Sequence, residues 1–116
     1  MNFPVFDLHC DTALALLGKS MNDAGELRKN EYHIDLDRAS KLGGYAQCFA
    51  CFTTPSMETW AKTSPVAVFE RELAAIQREV EKNRDLIAIA HSAEEVEANQ
   101  KNGKMSAILT LEGTAG

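Results

Sequence analysis

Long apolar runs are missing from this sequence of 116 residues, which argues against a membrane-spanning helix. Such a helix needs about 20 consecutive apolar residues, and no run in the chain approaches that length. The amino-terminal stretch carries no basic residue before Asp7, unlike the start of a secretory signal. We therefore expect a cytoplasmic protein with no membrane partner.

Cysteine and positive charge are also scarce. Three cysteines, an odd number, do not favour a disulfide framework in a chain without a secretory signal. Twelve Lys and Arg residues against 17 Asp and Glu residues leave a net charge of −5, which argues against nucleic acid as a partner. No repeat, low-complexity block or Gly/Ser-rich linker divides the chain, so its length suits one domain at most.

Four short apolar runs are predicted to be β-strands, with helical patterns between them. Strands that alternate with helices are typical of β/α units around a mainly parallel sheet. The fold class is therefore predicted to be α/β. The strands are expected at Phe3 to His9, Tyr45 to Phe52, Leu86 to Ala90 and Met105 to Leu111.

The longest predicted helix begins at Ser64, a capping residue that precedes Pro65. A short helix is expected over Ala13 to Leu17, whereas Lys19 to Ser40 shows no clear period and is predicted to be irregular. The apolar positions of the long helix recur at three and four residues and predict its buried face. They are Val66, Phe69, Leu73, Ile76 and Val80.

A second capping pattern predicts the last helix. Ser92 and Glu95 have the spacing of a capping box, which opens a helix over Ala93 to about Lys101. Gly103 can close that helix in a left-handed conformation. His91, just before the cap, is expected to be a hydrogen-bonded or solvent-facing histidine.

The carboxyl end of the first predicted strand carries two candidate metal ligands, His9 and Asp11. Residues two apart on a strand face the same side, so an imidazole and a carboxylate can meet at one point. This pair suits zinc or a similar divalent ion. The same H-x-D pattern recurs at His33-Ile34-Asp35, so the tripeptide alone leaves a hydrogen-bonded structural pair as the alternative.

The last predicted strand also ends in a carboxylate, Glu112, which is followed by Gly113. From its position, Glu112 is either a functional acid facing a crevice or an exposed residue at the start of a loop. The glycine-rich residues 113–116 have neither the P-loop nor the G-x-G-x-x-G spacing, which argues against a phosphate-binding loop.

Cys48 and Cys51 have C-x-x-C spacing, but they fall within a predicted strand. Residues three apart on a strand point to opposite faces with Cα atoms roughly 10 Å apart, beyond the limit of about 7 Å for a disulfide. We expect buried, unreactive thiols at both positions.

Together these segments resemble the renal or membrane dipeptidase family, binuclear zinc dipeptidases built on a (β/α)₈ barrel. Asp7-Leu8-His9-Cys10-Asp11-Thr12 is similar to the family's strand-one motif D-x-H-x-D, whose His and Asp bind one metal. Residues 33–38 and 43–47 are similar to a structural segment that leads into a strand carrying Gln. Leu111-Glu112-Gly113 is similar to the segment whose glutamate bridges the two metals.

The resemblance implies two Zn²⁺ ions per complete site and hydrolysis of dipeptides by a zinc-activated water. His9 and Asp11 would bind the first ion and Glu112 would bridge both. The family's later metal-binding histidines, and its later residues for substrate binding and acid/base catalysis, have no counterpart in this chain. The catalytic residues therefore stay unknown, and the 116-residue chain alone is expected to be inactive and need not hold zinc.

A closed eight-stranded barrel typically needs about 250 residues. Residues 1–116 are therefore expected to form the truncated amino-terminal part of a single barrel domain, about the first four parallel strands with their helices. A partial sheet exposes an apolar edge, so a homo-oligomer is predicted. The alternative function is a non-catalytic α/β unit or interaction module that associates with itself.

Overall fold

A computed structural model describes residues 3–21 and 25–113 of the chain. The four predicted strands are confirmed, each with bounds within one residue of those expected, and they form one parallel sheet. In chain order they are β1 (Pro4–Cys10), β2 (Gly44–Phe52), β3 (Ile87–Ile89) and β4 (Met105–Glu112).

Helices occupy the connections between these strands. The predicted caps are confirmed, because Ser64 Oγ accepts from Ala67 N and Ser92 Oγ accepts from Glu95 N, both at 3.2 Å. Across residues 3–21 and 25–113, no helix combines the length and apolar character needed to cross a membrane. The helices are α1 (Thr12–Leu17), α2 (Leu36–Ala39), α3 (Met57–Trp60), α4 (Pro65–Lys82) and α5 (Ala93–Lys101).

The strand order across the sheet is β1-β2-β4-β3, so the short strand β3 lies at an edge, beyond β4. After β2 the chain crosses the position of β4, forms β3, and then returns to form β4 between β2 and β3. Because parallel crossovers are right-handed, this reversal places α4 and α5 on opposite faces. Helix α4 packs with α1 against β2, whereas Asn99 Nδ2 of α5 donates to Ser106 Oγ of β4 at 3.0 Å on the other face.

The main core lies between the sheet and the layer formed by α1 and α4. Leu16, Phe49 and Ile76 are fully buried there. The opposite face is covered less completely, since Phe6 is 53% exposed and Leu8 is 76% exposed. The sheet is therefore closed by helices on one face and partly open on the other.

All three cysteines are free and buried. Burial raises the pKa of the Cys10 and Cys48 thiols and raises the pKa of Cys51 to about 12. A thiol with a raised pKa holds little of the nucleophilic thiolate at neutral pH. The prediction of unreactive thiols at Cys48 and Cys51 agrees with this environment.

The buried face of α4 differs from the predicted one. Ile76 and Val80 are buried as expected, but Val66 is 46% exposed. Two carboxylates, Glu72 and Glu79, occupy positions on the buried face. Apolar periodicity does not predict buried acids. Each of these carboxylates accepts a hydrogen bond from a backbone N–H outside the helix, a contact that the local sequence does not reveal.

Glu79 ties the irregular segment after α1 to α4. Its side chain is 1% exposed, Oε1 accepts from Leu27 N at 2.7 Å and Oε2 accepts from Arg78 Nε at 3.2 Å. Glu79→Ala leaves the Leu27 N–H without this acceptor and opens a cavity, so we expect a loss of about 3 kcal/mol in the free energy of unfolding.

The control is Glu81→Ala on the same helix. Glu81 pairs with Arg84 at 2.8 Å, but both side chains are largely exposed, so its removal should cost less than about 0.5 kcal/mol. Urea denaturation measures both variants. Equal losses for the two substitutions would show that the buried contact with Leu27 does not anchor the segment.

Candidate metal centre

The structure brings His9, Asp11 and Glu112 together at the carboxyl ends of β1 and β4. His9 Nε2 lies 3.1 Å from Asp11 Oδ1 and 3.4 Å from Glu112 Oε2. One potential ligand atom from each residue lies within 4.8 Å of the other two. All three side chains are about half-exposed, so the group is open to solvent and ions.

His9 reaches this group from an irregular part of β1. Asp7 lies opposite Gln47 of β2, and Cys10 lies opposite Phe49. Three steps along β1 therefore match two steps along β2, which defines a β-bulge with one extra residue. Simple alternation, the basis of the sequence prediction, does not describe this end of the strand.

Asp11 lies beyond the strand, at the N-cap position of α1. Its backbone carbonyl accepts from Ala15 N at 3.2 Å, but its side chain makes no capping hydrogen bond. An aspartate at this position commonly uses its carboxylate to cap the helix. Here the carboxylate instead lies beside the His9 imidazole.

Glu112 is fixed by the turn that follows it. Gly113 has a φ of 73°, and a Cβ added there would lie 2.1 Å from the Thr53 carbonyl oxygen. Thr53 N donates to the Glu112 carbonyl at 2.9 Å, and Thr53 Oγ1 donates to the Gly113 carbonyl. The close approach requires glycine and holds the end of β4 against the end of β2.

The donor set fits a divalent metal. Ligand atoms placed tetrahedrally at about 2.0 to 2.1 Å from zinc are separated by about 3.3 Å, close to the observed 3.1 and 3.4 Å from His9 to the two carboxylates. A neutral imidazole with two ionised carboxylates carries a formal charge of −2, which favours a dication. Imidazole and carboxylate are ligands that zinc commonly uses.

The second H-x-D pattern is structural. The Asp35 side chain is 4% exposed, caps α2 by accepting from Arg38 N at 2.8 Å, and also accepts from Arg38 Nε at 2.8 Å. Burial raises the pKa of Asp35, but the hydrogen bonds from Arg38 and Asn30 outweigh burial and hold it below its usual range. The structure therefore engages Asp35 in a cap rather than in the group around His9.

His33 and His91 also lie outside that group of donors. His33 is exposed and lines a cleft of about 560 Å³ that also reaches Asp11. His91 is exposed, with Nδ1 3.3 Å from a Glu95 carboxylate oxygen, which agrees with the expected hydrogen-bonded, solvent-facing histidine.

Glu72 is a buried acid that the sequence reasoning missed. Its Oε1 accepts from Phe52 N at 3.2 Å, at the end of β2, and its Oε2 has no hydrogen-bond partner among the described residues. Burial raises the pKa of Glu72 to about 8, and the charge of Asp11 acts in the same direction. No signal in the sequence separates this glutamate from the exposed acids of α4.

Comparison with known proteins assigns the chain to a class. The family model for membrane dipeptidases, peptidase family M19, matches residues 1–116. The chain belongs to this family of metallopeptidases, as its motifs predict, and membership implies a metal cofactor. No curated protein matches the chain significantly.

Two solved structures show the same fold. Dipeptidase AC, a metallopeptidase of family M19, superposes with a TM-score of 0.77 at 21% identity over 99% of this chain and 38% of its own. A metallopeptidase from Rhodobacter sphaeroides, bound to a phosphinate mimic of the dipeptide L-Ala-D-Ala, superposes with a TM-score of 0.75 at 21% identity. The match covers 99% of this chain and 39% of the other. The chain thus spans about two fifths of these proteins and has part of their (β/α)₈ barrel fold.

Proposed function

We propose that residues 1–116 form the amino-terminal part of a barrel domain that hydrolyses dipeptides at a binuclear zinc site. His9 and Asp11 would bind the first ion and Glu112 would bridge the two. The convergence of these three side chains from β1 and β4 carries the proposal. Family membership supports the dipeptide as the substrate class.

The residues of this chain would supply charge to the site. Asp11 and Glu112 carry the negative charge that would retain the ions, and Asp11 also lines a cleft of about 560 Å³ with Tyr32 and His33. Zinc in such a site supplies Lewis-acid polarisation of a carbonyl and a water of lowered pKa. The acid/base residues for this chemistry would lie outside the chain.

The partly open face of the sheet supports the second candidate, a non-catalytic unit that associates with itself. Phe6 and Leu8 expose apolar surface there, and contiguous apolar surface favours association. In this case the isolated chain would form a stable oligomer without bound metal.

One set of measurements separates the two functions. The purified 116-residue chain is titrated with Zn²⁺ by calorimetry, and its mass is followed by analytical ultracentrifugation. L-Ala-D-Ala and L-Ala-L-Ala are then supplied to this chain and to a longer protein that carries it within a complete barrel. We expect zinc binding in both proteins, hydrolysis by the longer one, and little or none by the chain alone, because three ligands cannot complete two metal shells.

Chelation should abolish hydrolysis by the longer protein, and added Zn²⁺ should restore it. A metal-free oligomer of the chain, together with a longer protein that neither binds zinc nor cleaves dipeptides, would instead support the interaction module. Rapid zinc-dependent hydrolysis by the 116-residue chain would contradict the expectation that it is inactive alone.

A further inference from the structure

The bulge in β1 decides which face of the sheet His9 occupies. Asp7 pairs with Gln47 and Cys10 pairs with Phe49, so Leu8 and His9 together lie opposite the single residue Cys48. In a bulge, the extra residue re-aims the side chains that follow it. The change of face here begins at His9 and includes Cys10.

Burial shows the result of this change in direction. Cys10 is 8% exposed and belongs to the core with Phe49, whereas Leu8 and His9 are both exposed. Strict alternation would turn His9 to the face of Gln47, beneath α1, and Cys10 to the open face. Glu112 pairs with Phe52, which shares the open face with Cys48 by alternation along β2. Only with the bulge does His9 share a face with Glu112.

Two side chains hold the bulge in place. Asp7 Oδ1 accepts from His9 N at 3.1 Å, the i to i+2 hydrogen bond of an Asx-turn. From β2, Gln47 Nε2 reaches the Asp7 carbonyl at 3.4 Å and the Cys48 carbonyl at 3.0 Å. Gln47 is fully buried, and its Oε1 accepts from the Tyr45 hydroxyl.

We propose that Asp7 is a positioning residue: its carboxylate oxygen fixes the bulge that turns His9 toward Asp11 and Glu112, with Gln47 supporting the same backbone from β2. Asp7 acts through the His9 backbone and is not itself a ligand. The inference rests on the proposed function for the identity of the site, but the geometry of the bulge can be tested without metal.

The test compares Asp7→Ala with Asp7→Asn in the 116-residue chain. The asparagine side-chain oxygen still accepts from the His9 N–H, whereas alanine removes the acceptor. Solution NMR records NOEs between the His9 ring and the Glu112 side chain in metal-free protein. Titration with Co²⁺, followed by its visible absorption, gives the dissociation constant and the ligand geometry. Asp37→Ala removes the same charge from an exposed position on α2 and is the control.

We expect Asp7→Ala to lose the NOEs and to weaken Co²⁺ binding about 10-fold or more, the scale of lost outer-shell support at a metal site. Asp7→Asn should keep the NOEs and stay within about 3-fold of wild type, as should Asp37→Ala. Where Asp7→Ala does not fold, the double variant Tyr45→Phe with Gln47→Met removes both partners of the buried pair. That double variant should lose the NOEs and weaken Co²⁺ binding, and unchanged NOEs and affinity in it would overturn the supporting role of Gln47.

Unchanged NOEs and affinity in Asp7→Ala would overturn the proposal. So would an Asp7→Asn variant as impaired as Asp7→Ala, because the charge of Asp7 would then matter rather than its hydrogen bond. If the wild-type chain binds no Co²⁺, its three candidate ligands do not hold a metal without the ligands that lie outside the chain, and the NOEs still decide whether Asp7 positions His9.

Discussion

Glu112→Gln is expected to lower kcat/KM for dipeptide hydrolysis on the order of 10³-fold in a complete enzyme that carries this chain, which corresponds to about 4 kcal/mol. A carboxylate can offer one anionic oxygen to each of two ions, whereas an amide is neutral and a weak second ligand. Glutamine nearly preserves the size of the side chain, so Thr53 and Gly113 should still hold the end of β4. If Glu112 bridges two ions, as proposed, metal content should fall to one ion or fewer per site.

Glu94→Gln is the matched control, because it makes the same change of charge at an exposed residue in the first turn of α5. Its turnover and metal content should stay within about twofold of wild type. His9→Ala should lose metal in parallel with Glu112→Gln, since both side chains would serve one centre. Full metal occupancy and unimpaired turnover in Glu112→Gln would remove Glu112 from the site.

Glu72→Gln is expected to change how stability depends on pH. The folded-state pKa of about 8, raised by burial, exceeds the ordinary value of 4.5. Between these values the folded protein holds a proton that the unfolded chain has lost. The stabilisation that Glu72 contributes to the folded state is therefore fully present below a pH of about 4.5, is lost as the pH rises, and is constant again above a pH of about 8. Over this range the free energy of unfolding should fall by an amount on the order of 3 to 5 kcal/mol.

Glutamine has no such titration, so the difference in unfolding free energy between variant and wild type should grow in favour of the variant from pH 5 to pH 9. Urea denaturation at several pH values measures it. Glu70→Gln, an exposed site on the same helix, should keep the wild-type slope. Parallel curves for wild type and Glu72→Gln would mean that Glu72 is already ionised in the folded protein at neutral pH.

Local patterns predicted most of the fold. Short runs of β-branched and apolar residues predicted the strands. The capping residues Ser64 and Ser92 predicted where α4 and α5 begin. The position of β3 at the edge could not be predicted, because the apolar pattern of a strand does not specify its neighbour. The two buried acids of α4 could not be predicted either, since Glu72 and Glu79 look the same in sequence as the exposed acids of that helix.

The candidate site was predicted from two strand ends and one resemblance, and the structure brings the three residues together. The route by which they meet differs from the prediction. His9 turns through a bulge that no glycine marks in the sequence. Asp11 is the first residue after β1 and the N-cap of α1, so the alternation of a strand does not set the direction of its side chain. The hydrogen bond from His9 N to Asp7 is visible only in three dimensions.

The strand order also constrains how the chain can fold as it is made. Strand β4 lies between β2 and β3 but is synthesised after both of them, and its register pairs Ser106 with Ala46 of β2. At a synthesis rate of about 5 to 20 residues per second, roughly 3 to 12 s pass between the synthesis of β2 and that of β4. Until β4 emerges, β2 exposes an unpaired apolar edge, so the interval before β4 is complete is the period in which a nascent chain most needs protection from aggregation.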